Sequence, residues 1–292
     1  MGGHYDKAEQ NTFQMSTLKD GALPMVALKG AGDLATGVIH RLVRVGFPVF
    51  ATELPQPTVL RRTVAFAEAV ALGEMTVEGV TAQRTGSIED IQSALHNGLV
   101  PIAVDPDGIL LKQMHPTVLV EATLSKYNSG VTMDDAPVVI ALGPGYVAGK
   151  DVHAVIETNR GHNLGRVYLE GCSEPNTGVP GTIGGYSSER LLRAPGAGII
   201  YGLRQIGDTV QAGETVALVK ANAPGNDEMP VIASISGILR GLVRDALPVN
   251  SGMKVGDIDP RAVREHCFTI SDKSRAVAGG VLEAIMYLLR QG

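Results

Sequence analysis

A chain of 292 residues exceeds the roughly 100–200 of a typical domain, so two domains are expected. A formal net charge of −5 with no long basic run excludes a nucleic-acid partner, whose phosphates need clustered Lys and Arg, and no apolar run reaches the ~20 residues of a bilayer span. The apolar share of 44% is ample for buried cores, while Gly 36 and Pro 16, without a collagen-like period, predict a turn-rich chain of many short strands.

Residues 1–24 are polar and lack the apolar centre of a secretion signal, so they are expected to form a disordered tail. From Met25 a short apolar run ending in glycine predicts a buried parallel strand. A helix over 34–45 follows, with Leu34, Val38, Ile39, Leu42 and Val45 at three- and four-residue spacing and Gly46 at its end. Residues 47–52 read as a second strand, which completes one β-α-β unit. Helical segments are expected over 64–72 and 88–95, strands over 102–104, 118–122 and 138–142, and a helix over 151–158. Strands alternating with helices imply a mainly parallel sheet covered on both faces.

Residues 171–188 read as a loop and domain boundary. Beyond it the chain repeats at an offset of 39 residues: Ala194, Gly198, Ile199, Gly202, Leu203, Val210, Gly213 and Val216 recur as Ala233, Gly237, Ile238, Gly241, Leu242, Val249, Gly252 and Val255. Ser271 caps a last helix whose apolar side includes Val277, Val281, Ile285 and Leu289. The domains expected are therefore a tail (1–24), a Rossmann-like α/β domain (25–188), a β domain (189–262) and a C-terminal helical segment (263–292). Cys172 and Cys267, with no CxxC or zinc-like spacing, fit a reducing cytoplasm.

The sharpest motif is Gly30-Ala31-Gly32-Asp33-Leu34-Ala35, which fits G-x-G-x-x-G/A between a strand and a helix. Gly30 allows the tight turn, Gly32 a close approach of backbone to pyrophosphate, and Ala35 close helix–strand packing. Glu53 follows Gly32 by 21 residues, where an acid binds ribose hydroxyls. A nucleotide, a dinucleotide or another small phosphate-bearing molecule is the ligand implied. Asp33 argues against a bare pyrophosphate: it either caps the helix or meets the ligand through a metal. Arg61 and Arg62 are expected on a solvated helix face, with anion binding as the alternative.

A second glycine turn, Gly143-Pro144-Gly145, ends another strand, where open α/β sheets place ligands. Downstream, Glu157, Arg160 and His162 lie in a dense polar stretch, as acid, anion partner and proton carrier, or as ordinary surface-loop residues. Cys172 is a candidate carrier of sulfur or selenium, or an inert thiol.

Three stretches taken together resemble one family: residues 29–35, then Gly143-Pro144-Gly145 with residues 157–162, then Gly256-Asp257-Ile258-Asp259-Pro260-Arg261. The chain is similar from about residue 25 to its end to YqeB-type accessory proteins of selenium-dependent molybdenum hydroxylases. That resemblance implies a maturation role with a molybdenum hydroxylase client or its maturation machinery as partner, and brings no catalytic residues. The repeat separately resembles a biotinyl/lipoyl barrel. Residues 221–253 contain no lysine, so the carrier function is not expected. The alternative to a maturation protein is an NAD-dependent oxidoreductase resting on Gly30, Gly32, Ala35 and Glu53, with His162 or His115 as proton donor.

Overall fold

The structure is a computed structural model that describes residues 23–176, 178, 181–221 and 228–291. The expected tail falls almost wholly outside the described residues, as does most of the connector at the centre of the repeat.

The N-terminal part is built on a nine-stranded sheet. Its strands are β1 (Val26–Lys29), β2 (Val49–Glu53), β3 (Glu74–Val77), β4 (Val80–Thr85), β5 (Val100–Val104), β6 (Val118–Glu121), β7 (Val138–Leu142), β8 (Ala154–Ile156) and β9 (Val167–Tyr168). They lie in the order β3-β4-β5-β2-β1-β6-β7-β8-β9. The central strands are buried on both faces, which explains their unbroken apolar runs. Helix α1 (Asp33–Arg44) buries Leu34, Val38, Ile39 and Leu42 on one face of the sheet, and Gly46 (φ +97°) follows its end. The short α2 (Ala69–Leu72) lies at the β4–β5 end of the sheet, and α3 (Ile88–His96) and α4 (Ile109–Gln113) connect later strands.

The C-terminal β part has two four-stranded antiparallel sheets. The strands are β10 (Leu191–Arg193), β11 (Gly198–Gly202), β12 (Thr209–Val210), β13 (Thr215–Lys220), β14 (Glu228–Ile232), β15 (Gly237–Leu242), β16 (Pro248–Val249) and β17 (Lys254–Asp259). The sheet orders are β10-β17-β15-β12 and β14-β13-β11-β16. The 39-residue offset maps one sheet onto the other, so each sheet is made from strands of both halves of the repeat. Leu192, Val210, Val216, Leu239 and Val255 share the core between them.

The expectation of a Rossmann-like mainly parallel domain, a biotinyl/lipoyl-like barrel and an appended helix is corrected on three points. The large sheet is mixed, with the β3–β4 and β8–β9 pairs antiparallel at its edges. The β part is a pair of antiparallel sheets with open edge strands, not one closed barrel. The last helix, α5 (Asp272–Leu288), belongs to the first unit: Val277, Val281, Ala284 and Ile285 join the core under α1. Two local expectations also change. The stretch expected as a helix over 64–72 is mostly 3-10 turns, because Phe66 N donates to the Thr36 hydroxyl (2.9 Å) and Ala67 N to Ala31 O (2.9 Å) instead of to helical carbonyls. Residues 154–156 form β8 rather than a helix, pairing through a buried Ala-Val-Ile with β7.

The two units are tied at Leu60, which runs alongside β15. Leu242 N donates to Leu60 O (2.9 Å), and Arg62 Nε donates to Leu242 O (2.7 Å). Glu68, almost fully buried, accepts from Arg244 and lies 3.7 Å from Arg62.

Candidate functional site

The carboxyl ends of β1, β6, β7 and β8, the face of β15 and β17, and the start of α5 enclose a cleft of about 560 Å³. This is where open α/β sheets place ligands. Eight cationic side chains line it against three carboxylates, in a protein that is acidic as a whole. Low-dielectric walls concentrate such a field.

Most of these cations are already engaged. Arg61 reaches from the loop after β2, with Nη1 3.3 Å from the Asp33 carboxylate and Nη2 donating to His266 O (3.0 Å) and Thr269 O (3.1 Å). The expectation that Arg61 sits on a solvated face is corrected: it is buried because those carbonyls and Asp33 replace its water. Arg160 makes a bidentate pair with Asp272 (2.8 and 3.0 Å), which holds that carboxyl well below the usual range. Arg190 pairs with Asp257 (2.7 and 2.8 Å).

Three buried or half-buried cations make no hydrogen bond among the described residues. Arg240, on β15 and only 6% exposed, makes no hydrogen bond among the described residues; its closest carboxylate oxygen, on Asp259, is 3.7 Å away. Asp259 is instead saturated by Arg261, through Nε (2.9 Å) and Nη2 (2.6 Å). Burial pushes the Asp259 carboxyl up, and Arg261 and Arg240 together hold it below the usual range. Lys254 at the start of β17 and Lys273 in the first turn of α5 have neither hydrogen-bond nor ion-pair partners among the described residues, and burial lowers the pKa of both. These three residues, from two strands and a helix far apart in sequence, carry no motif that sequence reasoning reads. The one local signal was Asp33, an acid where an anion was expected, whose partner Arg61 lies 28 residues away.

Of the residues singled out from sequence, Asp33, Arg61 and Arg160 line the cleft, with Pro144 of the second glycine turn. The glycine turns serve a different purpose. A Cβ on Gly30 (φ +97°) would meet the backbone of Ala122 and Thr123 at 3.2 Å, and one on Gly145 (φ +110°) would meet Lys126 and Ser125 at 3.1 Å. Both turns therefore seat the loop after β6. A Cβ on Gly143 would lie 2.5 Å from the Thr158 hydroxyl. Glu53 accepts from Ala31 N (2.9 Å) and Leu54 N (2.7 Å), so it ties the first turn to its own strand. Glu157 is fully buried and accepts from Asn159 N (2.7 Å) and Glu174 N (2.8 Å), clamping the polar loop. Ala35 is packed in the core, Gly32 precedes α1, and His162 is exposed. Cys172 is exposed and free; Cys267 is buried, which pushes its thiol up.

No family model matches the chain. In Escherichia coli (strain K12), the "Uncharacterized protein YqeB" is 49% identical over 268 residues, covering 92% of this chain and 48% of the relative. Over nearly its whole length this chain is therefore similar to YqeB. It spans about half the length of the curated relative it matches. Among solved structures it is similar to the product-bound ectoine utilization protein EutE (DoeB) from Ruegeria pomeroyi, at 12% identity and TM-score 0.27, covering 81% of this chain and 85% of that chain. It is also similar to a succinylglutamate desuccinylase/aspartoacylase from Rhodobacter sphaeroides (14%, TM-score 0.28, 81% and 85%). A third is an aspartoacylase family protein from Mesorhizobium loti (12%, TM-score 0.29, 80% and 84%). At these scores the likenesses bring no activity to the chain.

The functional expectations are corrected accordingly. The relative's name carries no selenium or molybdenum role, which leaves the maturation reading without support, and the nicotinamide-enzyme alternative falls with the turn it rested on. The nucleotide-binding expectation at Gly30–Gly32 also fails on geometry. The Ala31 amide that would meet a phosphate is satisfied by Glu53, and the turn packs against the β6 loop. Gly280 of α5 packs within the chain, against Gly165 O. No helix among the described residues is long and apolar enough to cross a membrane.

Proposed function

We propose that this chain binds a small, multiply charged anion in the cleft between the mixed sheet and the β part. The observation that carries the reading is Arg240: a guanidinium nine-tenths buried, with its Nε unpartnered and no hydrogen bond to its nearest carboxylate, lining a cleft beside two unpaired lysines. A buried guanidinium whose one ion pair, with Asp259 at 3.7 Å, makes no hydrogen bond costs folding free energy, so a ligand that accepts from it is its natural complement. The start of α5 supports the same reading. Ser271 caps the helix through Ser274 N, and the 17-residue helix directs its positive end at the cleft. Polycarboxylates and phosphate esters both have the required chemistry.

Calorimetric titration at low salt with citrate, 2-oxoglutarate, inorganic phosphate and pyrophosphate tests the reading. At least one is expected to bind saturably, with acetate and chloride weaker by roughly tenfold or more, as expected when a second charge-assisted contact is lost. Arg240→Met is expected to weaken the bound anion to a similar extent. Failure of all four to bind, or equal binding by Arg240→Met, would remove the basis for the proposal.

A further inference from the structure

Lys273 stands in the first turn of α5, where the helix dipole opposes a positive charge rather than favouring it. It is partly buried, and no carboxylate pairs with it: Asp33 and Glu157 face it but are held by Arg61 and by the amides of Asn159 and Glu174. Asp272, its neighbour in sequence, is fully engaged by Arg160. The other charges facing it are Arg160 and Lys254, both positive. A lysine desolvated beside other cations at a helix start is the arrangement that yields a neutral, nucleophilic amine at ordinary pH. Around it stand Arg240, Lys254 and Arg193, which suit the carboxylates of an acid whose carbonyl lies between them.

From this geometry we infer that Lys273 is a covalent-binding residue that condenses with the carbonyl group of an anionic oxo acid held in the cleft. The inference rests on the reading of the cleft as an anion site and names its substrate class. In the step, the lone pair of Nζ adds to the carbonyl carbon while the carbonyl oxygen takes a proton, giving a carbinolamine. The C–O bond then breaks as water leaves, Nζ gives up its proton, and a C=N bond forms. No electron donor or acceptor is consumed. Lys254 is the neighbouring cation, not the nucleophile, because it starts a strand and no helix end opposes its charge.

The full chain incubated with 2-oxoglutarate or pyruvate and cyanoborohydride near pH 7 tests this. The expected result is one stoichiometric secondary-amine adduct, mapped by peptide mass to Lys273. The exposed Lys150 serves as the internal reference, and the adduct is lost in Lys273→Arg. Calorimetry on the same samples separates the two readings. Saturable anion binding without an adduct at Lys273 above the level at Lys150 overturns this inference and leaves the anion site standing, whereas absence of both overturns both. A second measurement needs no anion: the rate of reductive methylation by formaldehyde against pH is expected to inflect at lower pH for Lys273 than for Lys150. Coincident inflections would overturn the inference.

Discussion

Gly30 and Gly32 lie two residues apart in one turn, yet the structure asks different things of them. Gly30 needs its positive φ and has backbone 3.2 Å from where a Cβ would go, so Gly30→Ala should destabilise by about 1–3 kcal/mol. Gly32 has φ −64° and only Val59 Cγ1 nearby, at 3.6 Å, so Gly32→Ala should lose only the N-cap preference for glycine, less than about 1 kcal/mol. Urea unfolding of the two variants measures this, and equal losses would show that both glycines are required by the turn. Glu121 makes a second prediction at this scale. It ends β6 fully buried, with Oε1 held by Thr123 and Oε2 without a partner. Burial pushes its carboxyl up, against the Thr123 hydrogen bonds and the charge of Lys29. A raised pKa means that the folded state holds the proton longer than the unfolded chain does. Its contribution to stability is therefore complete below the ordinary carboxylate pKa and is lost as pH rises through the folded value. Wild type should lose Tm relative to Glu121→Gln as pH rises above the ordinary carboxylate pKa; parallel Tm profiles would mean that Glu121 is ionised in the folded protein.

At the scale of elements, α5 shows what was legible and what was not. Its cap and apolar spacing are visible in the sequence, as are β1, α1 and the 39-residue repeat, because each is a local period or punctuation. Its docking is not visible: α5 returns across the β part to lie on α1, where Ser274 Oγ donates to Asp33 O (2.9 Å) and a Cβ on Gly37 would fall 2.1 Å from that hydroxyl. The same limit applied to the site. Asp33, Arg160 and the Gly256–Arg261 motif drew notice as local patterns, but Asp257 and Asp259 turn out to hold Arg190 and Arg261. Arg240, Lys254 and Lys273 are ordinary surface-type residues until tertiary packing leaves them without hydrogen-bond partners among the described residues. Context also reverses the reading of one dipeptide. A Cβ on Gly280 would lie 2.1 Å from Gly165 O, whereas one on Gly279 meets only Arg41 Nη1, at 3.6 Å. Gly280→Ala should therefore cost about 1–3 kcal/mol by overpacking, while Gly279→Ala should stabilise by up to about 1 kcal/mol through helix propensity. Thermal denaturation of the pair checks the sign; stabilisation by both would mean that α5 does not approach the 161–165 turn.

Across the whole molecule, the cleft sets stability against binding. The Leu60 and Arg62 contacts and the buried Glu68 fix the β part onto the mixed sheet, so the cations on β15 and β17 are held facing those on α5 and cannot separate. Without an anion, that arrangement keeps a guanidinium that makes no hydrogen bond and two lysines without partners close together in a partly desolvated site, which opposes folding. With an anion bound only to the folded state, stability rises by RT ln(1 + [L]/Kd), or about 2.7 kcal/mol at a hundredfold excess over Kd. Arg240→Met keeps much of the side-chain volume and removes one of the opposing charges, while Asp259 keeps its Arg261 partner. In the absence of anion the variant should melt a few degrees higher than wild type, at roughly 2–4 °C per kcal/mol for a domain of this size. In saturating anion the order should reverse, because the variant forgoes the stabilisation by ligand. Scanning calorimetry of both proteins, with and without the tightest anion from titration, decides the matter. A variant that melts lower under both conditions would show that Arg240 supports the fold through Asp259 rather than waiting for a ligand.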